Sequence, residues 1–275
     1  MTLSTIRNNP AKQKKVKTKK QKAIAATCAV AFWLLVWHVV SLCVGSELVL
    51  VSPVKVVQTL FTVIFDPDFL KTVWYSAARI LGGFFIALTL GTVLGWVASR
   101  FWVVETLLRP ITAVIKATPV ASFIILVLLW FSGKNLSVII SMLMVFPVIY
   151  MNVLEGIRSA DEKLLEMAQV FRLSVSKKLL YIYLPAVAPF FVSACSVSLG
   201  LCWKSGIAAE VIGTPDGSIG AVFYQAKIFL QTSELLAWTV VVVAVSVAFE
   251  KLFMFLLRLI LKELKMEDVL NGKRA

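Results

Sequence analysis

The chain has 275 residues, 59% of them hydrophobic and only 16% charged, with a mean hydropathy of +0.88. Soluble domains average about 45–50% apolar and about 25% charged residues, so the apolar excess requires lipid as part of the solvent and excludes an ordinary soluble protein. The formal net charge of +13 would suggest nucleic acid in a soluble chain, but no stacking motif or nucleic-acid-binding fold accompanies it, and no nucleic acid is expected as a partner.

Residues 1–22 form a basic tail with Arg7, Lys12, Lys14, Lys15, Lys17, Lys19, Lys20 and Lys22 and no acidic residue. Such a stretch before an apolar run is a topology signal and a contact for anionic lipid. The run 23–44 exceeds the h-region of about 7–15 residues of a signal peptide, so it reads as a retained first span. The segment 45–72 carries Val56, Val57, Leu60, Phe61 and Ile64 at spacings of three and four, the pattern of an amphipathic surface helix. A second span is expected over 73–99 and a third over 111–131, where Pro119 kinks or starts the helix. A fourth is expected over 136–157. The segment 158–186 is the longest loop. A fifth span follows over 187–210, then turn chemistry in 211–234 (Gly213, Thr214, Pro215, Asp216, Gly217 and Gly220), a sixth span over 235–260 and a tail over 263–275. The expected fold is all-α and polytopic, with one membrane domain over 23–262.

Charge fixes the orientation. Of the 28 Lys and Arg residues, 21 fall in segments on the side of the N-terminus and 5 in the opposite segments. By the positive-inside rule both termini and the 158–186 loop are cytoplasmic. Trp37, Trp74, Tyr75, Trp130 and Trp238 fall near the outer edge and Trp96 and Trp102 near the inner edge, where amphipathic rings collect. Cys28, Cys43, Cys195 and Cys202 lie in apolar segments without a CxxC pair and read as packing residues, not metal ligands. The single histidine, His38, lacks an obvious nucleophile beside it and reads as a packed or interface residue. No catalytic or metal site is expected.

The long loop carries the most specific signal. Ser159 with Glu162 reads as a capping box that starts a helix near residue 160. Leu164, Met167, Ala168 and Phe171 share one apolar face, while Asp161, Glu162, Lys163, Glu166 and Gln169 are polar. A second short helix is expected after Ser174, and Pro185 and Pro189 mark entry into the fifth span. Periodicity alone leaves two readings even: a helix resting on the membrane surface, or one docked in a groove of a partner.

This loop resembles the signature of binding-protein-dependent importer permeases: Glu-Ala-Ala, three residues, Gly, nine residues, Ile, one residue, Leu-Pro. Glu166, Met167 and Ala168 open the pattern, and Ile182, Leu184 and Pro185 close it at the same spacing. Met167 replaces the middle alanine. Arg172 stands where the glycine should turn the chain with positive φ. Either the first helix runs longer, or the arginine adopts an unfavourable conformation. The resemblance covers about residues 30–262 and is closest to permeases for aliphatic sulfonates, taurine and nitrate. Ser76, Arg79, Gly82, Gly83, Gly91 and Gly95 fit their second span. Arg109-Pro110, Thr118-Pro119, Trp130-Phe131 and Gly133 fit the third, and Phe146-Pro147, Asn152, Gly156 and Arg158 the fourth. Ala209-Glu210 and Gly217-Ser218-Ile219-Gly220 fit the end of the fifth and the next loop.

The resemblance implies a type I ABC importer permease fold with a cytoplasmic coupling helix in the bacterial cytoplasmic membrane. It implies a second permease copy, an ATPase dimer that binds ATP and Mg, and an extracytoplasmic substrate-binding protein. The chain itself contains no GxxxxGK[ST] stretch to cradle phosphates, so no cofactor is expected on it. Ionisable residues inside spans default to functional roles. Arg79 and Lys204, with Glu210 as a neighbour or pairing partner of Arg79, are therefore candidates for a pathway that passes a sulfonate, taurine, nitrate or similar anion. A pyrimidine precursor of thiamine or another heterocycle is the alternative cargo. A secondary transporter or channel is the rival of another class, but the sequence shows no internal repeat.

Overall fold

The computed structural model describes residues 19–263. The basic tail up to residue 18 and the C-terminal tail from 264 lie outside the described residues. All regular structure among the described residues is helical: α1 (Lys19–Val44), α2 (Pro53–Ile64), α3 (Phe69–Arg100), α4 (Trp102–Ala117), α5 (Val120–Leu128), α6 (Gly133–Arg158), α7 (Glu162–Val170), α8 (Val175–Lys178), a π turn (Leu179–Tyr183), α9 (Leu184–Gly213), α10 (Ile219–Ile228) and α11 (Thr232–Glu263). The chain forms two compact units, one ending at Lys55 and the other beginning at Val56. The first contains α1, whose stretch Thr27–Val44 has a mean hydropathy of 2.1 over 18 residues. That length and composition suit a membrane span.

In the second unit, α6 is the central element. It buries 56% of its apolar window, against 33% for α3 and 11% for α11. Its stripe Val145, Ile149 and Val153 meets Ile80, Phe84 and Ala87 of α3 and Cys195, Leu199, Cys202 and Trp203 of α9. These positions recur every three or four residues, the period of one helix face. Cys195 and Cys202 are free thiols inside this core. A neighbouring face of α6 (Leu136, Ile140 and Met144) packs against Ile115 of α4 and Ile124 and Val127 of α5.

The approach of α3 to α6 depends on missing side chains. A Cβ on Gly91 would stand 2.9 Å from the Ile149 Cβ, and one on Gly95 would stand 3.0 Å from the Tyr150 carbonyl oxygen. Gly91 and Gly95 are four residues apart on one face, the small-xxx-small pattern by which membrane helices bring their backbones together.

The structure corrects several sequence expectations. The third span is not one helix over 111–131. It is a pair, α4 and α5, bent by 105°. Thr118 is extended (φ −82°, ψ 132°) before Pro119, because the proline ring disfavours helical backbone in the preceding residue. The membrane therefore sees five long apolar helices, or six spans with the bent pair as one. The segment 211–234 holds α10 as well as turns. Trp238 does not face outward from the helices: it is 5% exposed and packs against Phe69 at a ring separation of 5.6 Å, beside Val63 of α2 and Ile219 of α10. Trp74, Trp102 and Trp130 remain exposed.

Introducing Gly91→Val should force α3 off α6 and destabilise the protein by about 1–3 kcal/mol, the usual effect of overpacking. Gly82→Ala, whose new Cβ would have no heavy atom within 4 Å, should leave stability unchanged or slightly raised. Thermal unfolding midpoints of the two detergent-solubilised variants check the difference.

Candidate functional site

The loop helix is set by how α6 ends. The Ser159 hydroxyl donates to the Gly156 carbonyl at 2.8 Å, and its backbone is still near-helical (φ −78°, ψ 0°). An N-cap needs extended backbone, so Ser159 closes α6 and the expected Ser159–Glu162 capping box does not form. Asp161 is extended (φ −66°, ψ 120°) and its Oδ1 accepts the Lys163 amide at 2.9 Å. The helix therefore starts at Glu162, two residues beyond the expected point.

Its other end resolves the Arg172 question. Arg172 has φ +49°. The Leu173 amide donates to the Ala168 carbonyl at 2.9 Å and the Arg172 amide to Gln169 at 3.0 Å. This is a Schellman closure with arginine in the left-handed position normally held by glycine. The helix does not run longer; the arginine takes the unfavourable conformation. Phe171 is its C-cap, not part of its interior.

The expected single apolar face is divided by function. Ala168 is fully buried against Ala160, Ile182 and Ala186, with Leu165, Leu173 and Tyr183 around it. Leu164 (43% exposed), Met167 (45%) and Phe171 (71%) point away from the chain, and Glu166 is exposed beside them. So Ala168 seats α7 on the fifth span, while its larger apolar neighbours form an uncovered patch. The closing residues Ile182, Leu184 and Pro185 lie where the chain re-enters that span. Pro185 has no N–H and its ring would crowd the carbonyl four residues earlier. The helix widens there into a π turn, with the Leu184 amide reaching the Leu179 carbonyl.

At the far end of α9, Glu210 has no exposed surface. The Ser76 hydroxyl donates to Glu210 Oε2 at 2.6 Å and accepts the Ile219 amide at 2.9 Å. The Gly220 amide donates to the same Oε2 at 3.4 Å, and the Ala221 amide to Ser218 Oγ at 3.0 Å. The first amides of α10, left without intrahelical partners, are thereby satisfied by Ser76, Glu210 and Ser218. A carboxylate at a helix N-terminus is also favoured by the helix dipole. Gly220 is required, because a Cβ there would fall on Glu210's own Cβ. This clamp ties α3, α9 and α10 together. The buried Ser137 hydroxyl lies close to the same carboxyl, and among the described residues neither it nor Glu210 Oε1 makes a hydrogen bond of ordinary geometry.

Arg79 is not ion-paired with Glu210 among the described residues. Its guanidinium carbon lies 4.6 Å from the centre of the Tyr75 ring, one turn back along α3. Lys204 is exposed on α9, on the face turned away from the Cys202–Trp203 core. The structure thus brings Ser76, Glu210 and α10 together and leaves Lys204 apart from them. Ser76 entered the sequence reading only through the resemblance, and Gly220 otherwise only as a turn residue. Their spacing from Glu210, 134 residues in the case of Ser76, gives no local signal.

Residues 87–265 match the family model "Binding-protein-dependent transport system inner membrane component". The chain is similar to the putative aliphatic sulfonates transport permease protein SsuC of Escherichia coli K12, at 34% identity over 78% of this chain and 82% of the relative. It is 29% identical to the protein of the same description in Bacillus subtilis 168, over 83% of each chain. It is 27% identical to the taurine transport system permease protein TauC of Escherichia coli K12, over 78% of this chain and 80% of the relative. Among solved structures it resembles one described as a crystal structure of an amino acid ABC transporter with histidines. The TM-score is 0.50 at 16% identity, over 70% of this chain and 96% of the other, and this supports the fold.

Replacing Arg172 by glycine should relieve left-handed strain of about 1 kcal/mol and slow hydrogen exchange of the Leu173 amide about fivefold. Ser76→Ala should strand the Ile219 amide and leave Glu210 Oε2 with only the long Gly220 contact, lowering stability by about 1–3 kcal/mol as read by the thermal midpoint in detergent.

Proposed function

The chain belongs to the family of binding-protein-dependent transport system inner membrane components, and from that premise we propose that it carries a small anion of the sulfonate, taurine or nitrate class across the cytoplasmic membrane. It acts as the membrane-spanning permease subunit of an ABC importer, with the termini and the 159–183 loop cytoplasmic, as the charge bias supports. Two copies form the pathway. An ATPase dimer holding ATP and Mg docks on the loop, and a binding protein delivers cargo at the opposite face.

The observation that carries this reading is the uncovered patch of Leu164, Met167 and Phe171 on α7, a helix seated on the chain only by its Ala168 side. A monomer in water would hide such a patch; a groove on a partner can cover it. Exposed Glu166 and Asp161 flank it, giving the contact a polar rim. The connection from α6 to α9 is anchored at both ends, so a displacement of α7 would move both spans. Lys204, a cation exposed in the second half of α9, supports an anionic cargo. Arg79 would join it if it leaves the Tyr75 ring. Glu210, buried and bonded to α10, serves the pathway by holding its outer end in shape.

Met167→Ala and Phe171→Ala should each weaken co-purification of the ATPase about tenfold or more, while the protein still reaches the membrane. Glu166→Lys should leave the complex assembled but uncouple ATP hydrolysis from uptake in proteoliposomes. Full transport by this chain without an ATPase would overturn the proposal.

A further inference from the structure

An open cavity of about 530 Å³ lies between α6, the break joining α4 to α5, and Leu201 of α9. Its α6 wall is Met144, Pro147, Val148, Met151, Asn152 and Glu155, at spacings of one, three and four. The cavity therefore follows a single face of α6 for about 16 Å. The 105° bend at Thr118–Pro119 opens it, because α5 turns away where a straight helix would have filled the space.

The wall changes character along its length. Toward the middle of α6 it is apolar. Toward the loop end it carries Asn152 and Glu155 from α6, and Lys116 and Thr118 from the end of α4. Among the described residues the Lys116 ammonium has one polar contact, the Met151 thioether at 3.5 Å. No ion pair among the described residues joins it to Glu155, or Glu155 to any cation. Charges at this end do pair when they are within reach: Arg158, one turn beyond Glu155, is paired with Glu105 of α4. Lys116 and Glu155 are thus opposite charges that line one cavity without forming an ion pair.

A simple anion in this space would gain from Lys116 and be repelled by Glu155. A body with both charges would satisfy both walls, with a short alkyl linker resting on Met151. We propose that this cavity is a subsite for a small zwitterion, with its anionic head on Lys116 and Thr118 and its ammonium on Glu155 and Asn152. The inference rests on the permease reading and narrows its cargo from small anions to those that also carry an amine. Lys204 lies one turn beyond Leu201 on α9, so the subsite adjoins the face from which that cation projects.

The test is equilibrium binding of 2-aminoethanesulfonate and ethanesulfonate to the permease–ATPase complex in lipid nanodiscs, without binding protein. The parent should favour the amino compound by about tenfold, the scale of one charge-assisted hydrogen bond. Glu155→Gln should bring the two within about twofold, and Lys116→Gln should weaken both. The double variant Lys116→Glu/Glu155→Lys should regain the preference, since the ligand can bind reversed; a merely structural role would not predict that rescue. Equal binding in the parent, no binding of either compound, or a preference unmoved by Glu155→Gln would overturn the subsite. If the ATPase still co-purifies in those cases, the permease reading stands and only the subsite falls.

Discussion

Burial of α6 on three sides is the constraint from which the rest of the second unit follows. Lipid supplies no hydrophobic drive between helices, so close backbone approach and dispersion must hold them. Gly91 and Gly95 allow that approach on the α3 side, where Ile149, Tyr150 and Val153 fill the space a side chain would have taken. Trp203, Cys195 and Cys202 occupy the α9 side. With α6 fixed between these neighbours, its last turn also fixes where α7 begins, and α9 fixes where α7 rests. The uncovered patch is therefore displayed by the transmembrane core and not by a free loop.

Two irregularities share one physical origin. Pro119 and Pro185 each remove a backbone donor and crowd the preceding turn. At Pro119 the chain breaks and opens a cavity beside α6. At Pro185 it only widens into a π turn, because Leu184 still reaches Leu179 and Ile182 is held in the cluster under α7. The surrounding contacts determine which outcome occurs. Irregular backbone at membrane depth is tolerable where it lines a cavity or is buried in protein.

Most of the span architecture was legible in the sequence, because apolar length and charge bias are local quantities. The amphipathic α2 and the signature loop were legible for the same reason. The rest depended on tertiary context. Whether Pro119 bends one helix or separates two is decided by Ile124 and Val127 finding a face of α6. Ser159 and Asp161 are both good caps by type, and only the backbone at the end of α6 assigns the role to Asp161. Trp238 has the composition of an interfacial ring but lies under α2 and α10. Lys116 counted in the sequence only toward topology, and Glu155 counted toward nothing. The cavity they face exists only once α4 and α6 are placed together.

Charge inside a span is therefore informative only together with its partners. Glu210 is the one fully buried carboxyl among the described residues, yet Ser76 and the Gly220 amide occupy one of its oxygens, and its position organises the start of α10. Removing a carboxylate so placed would disturb a helix junction before it disturbed a solute. Lys116 and Glu155 are the opposite case. They are exposed, near the end of their helices, and unmatched by each other while a neighbouring pair, Arg158 and Glu105, is matched. A charge already satisfied by the fold has little left to offer a ligand. A charge that the fold leaves open toward a cavity must shed water when an opposite charge arrives, and a direct, hydrogen-bonded pair offsets that cost. On that criterion the proposed solute contacts are better sought among the open cations and carboxylate along α4, α6 and the exposed face of α9 than at the buried carboxylate of α9.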